Sequence, residues 1–325
     1  MLPLTIILLT YNEQENLPAC LDSIKGIQAN RFVVDSHSTD ATLSILEAEG
    51  ISYLQHPFQN YAAQRNWAQA NNPFQTEWVL HLDAGERATP EFVSWVNENF
   101  DPENQTIDGY LVARRAIFMG RWVKYGGYHP IYHLRLFKTH KGRCEDKAYD
   151  QHFISEGKLE IVPKNADIED TVMSNIHNFT VKHARWAVFE AAESIHSLQE
   201  EASGDVKASL LGNPIERRRW FKKNVFQKTP LFIRSIFYFL YRYFFKLGFL
   251  DGKEGLVFHT LQGFWFRFLV DTVILEIKKE LPYKSLSQIV KEKYDLELAT
   301  ILGNNRAQTQ NNEYRNISSE TYSTS

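Results

Sequence analysis

The strongest constraint on the fold is a rhythm in the first ninety residues, where short apolar runs end on a hydroxyl or a carboxylate and alternate with helix-like segments. Residues 4–9 form a continuous, partly β-branched apolar run, the pattern of a strand buried on both faces of a parallel sheet. Leu17, Cys20, Leu21 and Ile24 then recur at helical spacing, with Gly26 as a stop. Residues 31–35 read as a second strand ending in Asp35, after which Ser38 or Asp40 can cap a helix that stops at Gly50. A short strand over 51–55, a helix over 60–71 and a strand from 78 to 82 continue the alternation. Strand alternating with helix predicts a parallel, doubly wound α/β sheet. No Gly-x-Gly-x-x-Gly follows the first strand and no Gly-x-x-x-x-Gly-Lys occurs, so neither a dinucleotide fold nor a P-loop is supported.

In such sheets ligands bind beyond the carboxyl ends of the strands. Asp83 and Glu86 stand at one of these ends, directly after Trp78-Val79-Leu80-His81-Leu82. Two carboxylates there can hold a hard divalent cation, and the cation a diphosphate; Asp83-Ala84-Gly85 is equally readable as a turn. Asp35 ends its strand in the same way and can accept hydrogen bonds from a base or ribose. Arg65 lies on the helix just upstream of Asp83.

Four ordered segments together, Thr10-Tyr11-Asn12-Glu13, residues 34–42, Gln64-Arg65-Asn66 and residues 78–86, closely resemble family 2 glycosyltransferases of GT-A fold, and more narrowly the bacterial branch that builds lipopolysaccharide core and exopolysaccharide. The resemblance implies a GT-A nucleotide-sugar-binding domain with a mostly parallel central sheet, an inverting transfer and a nucleotide-sugar donor, usually UDP-linked. It implies that Thr10, Tyr11 and Glu13 line the nucleoside pocket, that Asp35 contacts uracil or ribose, and that Arg65 approaches the diphosphate. Asp83 matches the first Asp of the family's Asp-x-Asp metal motif, for Mn2+ or Mg2+; the second is replaced by Gly85, which leaves Glu86 as the nearest carboxylate. Trp122 and Arg135, in a glycine- and aromatic-rich stretch between 118 and 137, correspond to the approach to donor sugar and acceptor.

An inverting transfer needs a base for the acceptor hydroxyl. The acids at 145–150 supply three candidates, Asp150 ahead of Asp146 and then Glu145, while Gln151 stands where many relatives close the motif with an acid. An exposed acidic loop is the alternative. The resemblance also makes His183, with His177 behind it, a candidate to complete the metal or phosphate site.

Charge is near balance, 36 Lys and Arg against 39 Asp and Glu, so no overall field favours nucleic acid. The distribution is uneven. From 217 to 246 there are nine basic residues and no acid, among many Phe and Tyr. Arg234, Tyr238, Arg242 and Lys246 follow at four-residue steps, which predicts an amphipathic helix in a membrane interface with its basic stripe on anionic headgroups, followed after Gly252 by a second helix to form a hairpin. No stretch is long and charge-free enough to span a bilayer. Two cysteines give no disulfide framework, and the N-terminus lacks a basic region and a cleavage site, so the expected location is the cytoplasm, peripheral on the inner face of the membrane. The expected division is a catalytic domain over 1–200, with a nucleotide half to 100 and an acceptor half beyond it, a helical membrane-association region over 205–300 and a disordered tail over 303–325. The expected function is sugar transfer to a lipid-linked saccharide; the alternative is a degenerate relative that binds nucleotide-sugar or lipid without turnover, motivated by Gly85 and Gln151.

Overall fold

The computed structural model describes residues 1–146, 151–171, 175–199 and 208–302. Its first half follows the rhythm of the sequence. Strands β1 (Leu4–Thr10), β2 (Asn30–Asp35), β3 (Ser52–Gln55) and β4 (Trp78–Asp83) pair in parallel in the order β3-β2-β1-β4. Helices α1 (Leu17–Ser23), α2 (Thr42–Ala48) and α3 (Tyr61–Ala70) connect them. The apolar runs are continuous because both faces are covered. Ile6, Leu8, Val33 and Leu80 enter one core, Ile7, Phe32, Val34 and Val79 the other.

Beyond β4 the sheet becomes mixed. β5 (Glu86–Ala88) and α4 (Pro90–Glu98) follow, the helix capped by the Thr89 hydroxyl and opened by Pro90. β8 (Ile131–Lys138) adds antiparallel to β4, and β6 (Gly109–Phe118) adds antiparallel to β8 on its far side, with β7 (Arg121–Val123) hairpinned onto β6. β9 (Gly142–Cys144) and β10 (Phe153–Ser155) form a separate ribbon, β11 (Leu159–Ile161) pairs with β6, and β12 (Ile168–Thr171) runs between β6 and β5. The resulting ten-stranded sheet brings the ends of β4, β5, β6, β8 and β12 to one edge of the molecule.

The last third is a helical layer. α5 (Ile176–Gln199) packs along α9 (Phe266–Glu280), with α10 (Leu286–Tyr294) and α11 (Leu298–Leu302), around Ala191, Ile195, Phe266, Ile274, Ile277 and Ile289. The expected border near 200 therefore separates helices that share one core. α6 (Pro214–Phe221) runs into a π-helical turn at Lys222–Phe226, α7 (Ile233–Leu240) into another at Tyr241–Phe245, and α8 (Gly252–Phe258) into a third at His259–Trp265. The tail from 303 onward lies outside the described residues.

One expectation is reversed here. The basic stripe of α7 faces the protein: Arg234 and Arg242 are 7% and 6% exposed, while Phe237 and Phe245 are 64% and 79% exposed. Arg234 pairs with Asp271 of α9, which also accepts from the Phe232 amide at 2.7 Å and the Ser235 hydroxyl at 3.0 Å. Lys246 leaves the stripe because its amide bonds to Tyr241 five residues back, and it is exposed. Polar groups went inward because buried partners await them there, and the apolar face was left outside.

Candidate active site

On the nucleoside side, Asp35 is fully buried and its two oxygens are occupied by the protein. Oδ1 accepts from Thr10 Oγ1 at 2.9 Å and from the Ser38 hydroxyl, and Oδ2 from the Ser38 amide at 2.8 Å and Gln55 Nε2 at 3.2 Å. Burial pushes its pKa up, but these donors outweigh it and hold the carboxyl below its usual range. Asp35, expected against base or ribose, thus fixes the loop after β2. That loop is stitched to the one after β1: the Asn12 amide donates to Ser38 Oγ at 2.8 Å, Asn12 Oδ1 accepts from the Thr39 amide at 2.8 Å, and the Glu13 amide donates to Thr42 Oγ1 at 2.8 Å. Asn12 takes a left-handed φ of 54°, which Asn tolerates. The two loops enclose a polar groove lined by Asn12, Glu13, Asn16, Thr39 and Asp40, with Tyr11 60% exposed beside Asn12. Thr10 is buried beneath it.

At the end of β4, Arg65 of α3 reaches both oxygens of Asp83 at 2.9 and 3.1 Å. Arg135 of β8 contacts Glu86 and lies 3.8 Å from Asp83 Oδ2. Burial works against the Asp83 carboxylate, yet the guanidinium groups of Arg65 and Arg135 hold its pKa well below the usual range. Its side chain keeps 40% exposure. Glu86 is buried, accepts the Asp83 amide at 3.0 Å, and is pushed up to about 7 by burial, against the pull of Arg135 and with the help of Asp83 and Asp170. A pair that spacing did not single out extends the cluster, Arg114 with Asp170 at 3.2 Å; Arg115, next to it on β6 and therefore on the other face of the sheet, pairs with Asp167 at 2.8 Å and Glu169 at 3.0 Å. The signal was the Arg114-Arg115 doublet inside an otherwise apolar strand, where each charge needs a built partner.

The residues expected to bind a cation do not converge. Asp83, an exposed anionic oxygen donor, fits a hard cation that completes its shell with water and phosphate. Glu86 does not, because it is buried as well as held by Arg135 and a backbone amide, whereas Asp83, though paired with Arg65, is open to solvent. His183 sits in the helical layer instead, stacked on Phe179 with ring centroids 3.8 Å apart and edge-on to Trp186 and Phe266. Its Nδ1 bonds to the Phe179 carbonyl at 2.8 Å, and burial lowers its pKa to about 4. Among the described residues no three His, Cys, Asp or Glu side chains form a metal-holding group.

Of the three base candidates, Asp150 lies outside the described residues. Glu145 is fully buried; its carboxylate accepts from Arg219 at 3.1 and 3.2 Å and from the His152 amide at 3.0 Å, tying this loop to α6. Asp146 is half-buried. Trp122, expected to meet a sugar, carries the Arg115 guanidinium 4.2 Å from its ring centroid and the edge of His129 at 5.0 Å.

A parallel βα half ending on Asp83, joined to a mixed half that supplies Arg114 and Arg135, is a GT-A fold. The match to known proteins agrees: residues 5–157 match the family Glycosyl transferase family 2, and this segment is a domain of that family in a chain that is a glycosyltransferase. An uncharacterized glycosyltransferase of Rickettsia bellii is 23% identical over 299 residues, covering 89% of this chain and 92% of its own. One of Rickettsia conorii is 33% identical over 104 residues, 32% of this chain and 36% of its own. Among solved structures, Staphylococcus aureus TarS 1–349 in complex with UDP aligns over 87% of this chain and 93% of its own, with TM-score 0.42 and 14% identity.

Proposed function

We propose that the enzyme transfers a sugar, with inversion, from a UDP-sugar to a lipid-linked saccharide in cell-surface polysaccharide or lipopolysaccharide synthesis, on the cytoplasmic face of the membrane. The observation that carries the transfer is the meeting of Arg65, Asp83 and Arg135 at the end of β4, beside the grooved loops of β1 and β2. The nucleoside lies over Tyr11 and Glu13, and the diphosphate lies toward Asp83. A divalent cation, Mn2+ or Mg2+, held at Asp83, supplies charge for the departing diphosphate. Arg65 and Arg135 meet the same developing charge with fixed donors. The acceptor hydroxyl attacks the anomeric carbon opposite the leaving diphosphate as a carboxylate of the 146–150 loop, Asp150 or Asp146, takes its proton.

The acceptor's lipid and the membrane location rest on the outer face of α7 and of the π-helical turn that follows it, where Ile236, Phe237, Tyr241, Phe244 and Phe245 are exposed, with Lys246 exposed just after them. Such a face suits an interface with anionic lipid. No helix among the described residues is long and apolar enough to cross a membrane.

UDP release from a panel of UDP-sugars with Mn2+ or Mg2+ tests the transfer. Asp83→Asn and Asp150→Asn are expected to lose about a hundredfold or more in kcat. Full activity of Asp83→Asn would remove the cation from Asp83, and full activity of both Asp150→Asn and Asp146→Asn would remove the base from this loop. Sedimentation with phosphatidylglycerol vesicles tests the location.

A further inference from the structure

The connection from β7 to β8 touches both halves of the molecule. Toward the sheet, His129 Nε2 lies 3.0 Å from Asp167 Oδ2, and Trp122 packs on Arg115. Tyr128 of the same connection lies within electrostatic reach of Arg114, which pairs with Asp170 beside the Asp83 cluster.

Toward the helices, the loop is held by its backbone. Asp251 accepts from the Lys124 amide at 3.1 Å and the Tyr125 amide at 3.0 Å. The Gly126 amide donates to the Lys246 carbonyl at 2.8 Å, and Arg242 Nε donates to the Gly126 carbonyl at 2.6 Å. The Arg242 guanidinium also lies 3.8 Å from the centroid of the Tyr128 ring. Gly126 has a left-handed φ of 66°, and a Cβ there would stand 2.0 Å from His259 Cε1, so the approach is as close as glycine permits.

Arg242 and the outward rings belong to one continuous helical segment. Its inner face grips the loop, and its outer face carries Phe237, Tyr241, Phe244 and Phe245 in contact with solvent. A lipid surface that takes up these rings binds the segment in the arrangement that grips the loop, and so stabilises that arrangement against local opening.

We propose that Arg242 and Asp251 are positioning residues that set the 121–129 loop at the acceptor side of the site, and that docking of the outer α7 face on anionic lipid strengthens this hold and raises turnover. The trigger rests on the lipid reading above; the hold of Arg242 and Asp251 on the loop does not.

Hydrogen exchange of the 124–126 amides in the full chain, with and without vesicles of phosphatidylglycerol and phosphatidylcholine, separates the two. Vesicles are expected to slow exchange in the parent, and Arg242→Gln and Asp251→Asn to speed it about tenfold in buffer, with Arg242→Lys between. In UDP release the two variants should lower kcat and leave the donor KM unchanged, a split that general loss of structure would not give. Unchanged exchange or unchanged kcat in both variants overturns the positioning role. A parent that binds vesicles without slower exchange overturns the trigger, and a parent that binds none overturns the lipid reading with it. Should the interior variants lose their fold, Phe237→Ser with Phe245→Ser decides, since both rings are exposed. It must keep the parent's exchange in buffer and lose the vesicle effect; a persisting effect overturns the proposal.

Discussion

The inverted polarity of α7 depends on Asp271, and its removal should show how strongly. Asp271 is fully buried on α9 and receives four donors, two from Arg234, one from the Phe232 amide and one from the Ser235 hydroxyl. Truncating it as Asp271→Leu leaves a buried guanidinium and a buried amide without an acceptor, which costs about 3–5 kcal/mol. Replacing both partners, Arg234→Met with Asp271→Leu, removes the stranded charge. The double variant should then recover the part of the loss due to the stranded charge, leaving roughly 2 kcal/mol for the amide and hydroxyl that still lack an acceptor. Urea unfolding followed by far-UV circular dichroism measures these two variants and the single Arg234→Met against the parent, and the cycle isolates the coupling. If Asp271→Leu costs less than about 1 kcal/mol, as an exposed pair would, the charge is not buried in solution and the inward stripe is wrong. Equal loss in single and double variants would sink the reasoning as well.

Glu145→Gln should weaken the tie between the 145–152 loop and α6 by about 2–3 kcal/mol while kcat stays within a few-fold, since Glu145 holds Arg219 and His152; a collapse of kcat with unchanged stability would return it to the role of base. His183 titrates near 4 in the fold against an ordinary value of 6.5, so its contribution is fully present above 6.5 and is lost as pH falls toward 4, by roughly 3 kcal/mol; His183→Leu should flatten that part of the stability profile, and an unchanged slope would refute it. Burial pushes the thiols of Cys20 and Cys144 up to about 12 and about 11, so a thiol reagent at pH 8 should label the native protein only on denaturation, and rapid labelling would show that one of them is open to solvent.

Strands β1, β2 and β4 were legible because a strand covered on both faces must be apolar at successive positions; β3, a mostly exposed edge strand, was legible from the strand-helix alternation around it. The acids at the strand ends were legible for the same reason, since they mark where burial stops. The direction in which α7 faces was not legible. Helical spacing says which residues share a stripe, but whether the stripe meets protein or solvent depends on a partner such as Asp271, 37 positions from Arg234 and on another helix. The surroundings of His183 did leave a trace, because Phe179 and Trp186 stand four and three residues away on the same helical face, a spacing that describes packing better than ligation. Arg65 was expected at a diphosphate and is found on Asp83, one position that both readings require to be cationic.

That last coincidence bears on how a donor enters. Arg65, Arg114 and Arg135 stand against Asp83, Asp170 and Glu86 in matched pairs. A donor diphosphate adds about two negative charges, which a largely buried cluster cannot take without compensation. Of the three acids Asp83 is the most exposed, at 40% of its side chain against 21% for Asp170 and 2% for Glu86, so it is where compensation can arrive from solvent. On the proposed reading the exchange is local: Asp83 would hold the cation, whose charge would offset the diphosphate, and Arg65, freed from Asp83, would turn to the phosphates. Asp83→Asn then loosens Arg65 and removes the cation's ligand in one step, so UDP binding in EDTA and UDP release in Mn2+ should move in opposite directions in that variant. On that reading a single pair would serve as the resting counter-charge and as the two halves of the donor clamp, and one carboxylate would suffice where Gly85 stands in place of a second.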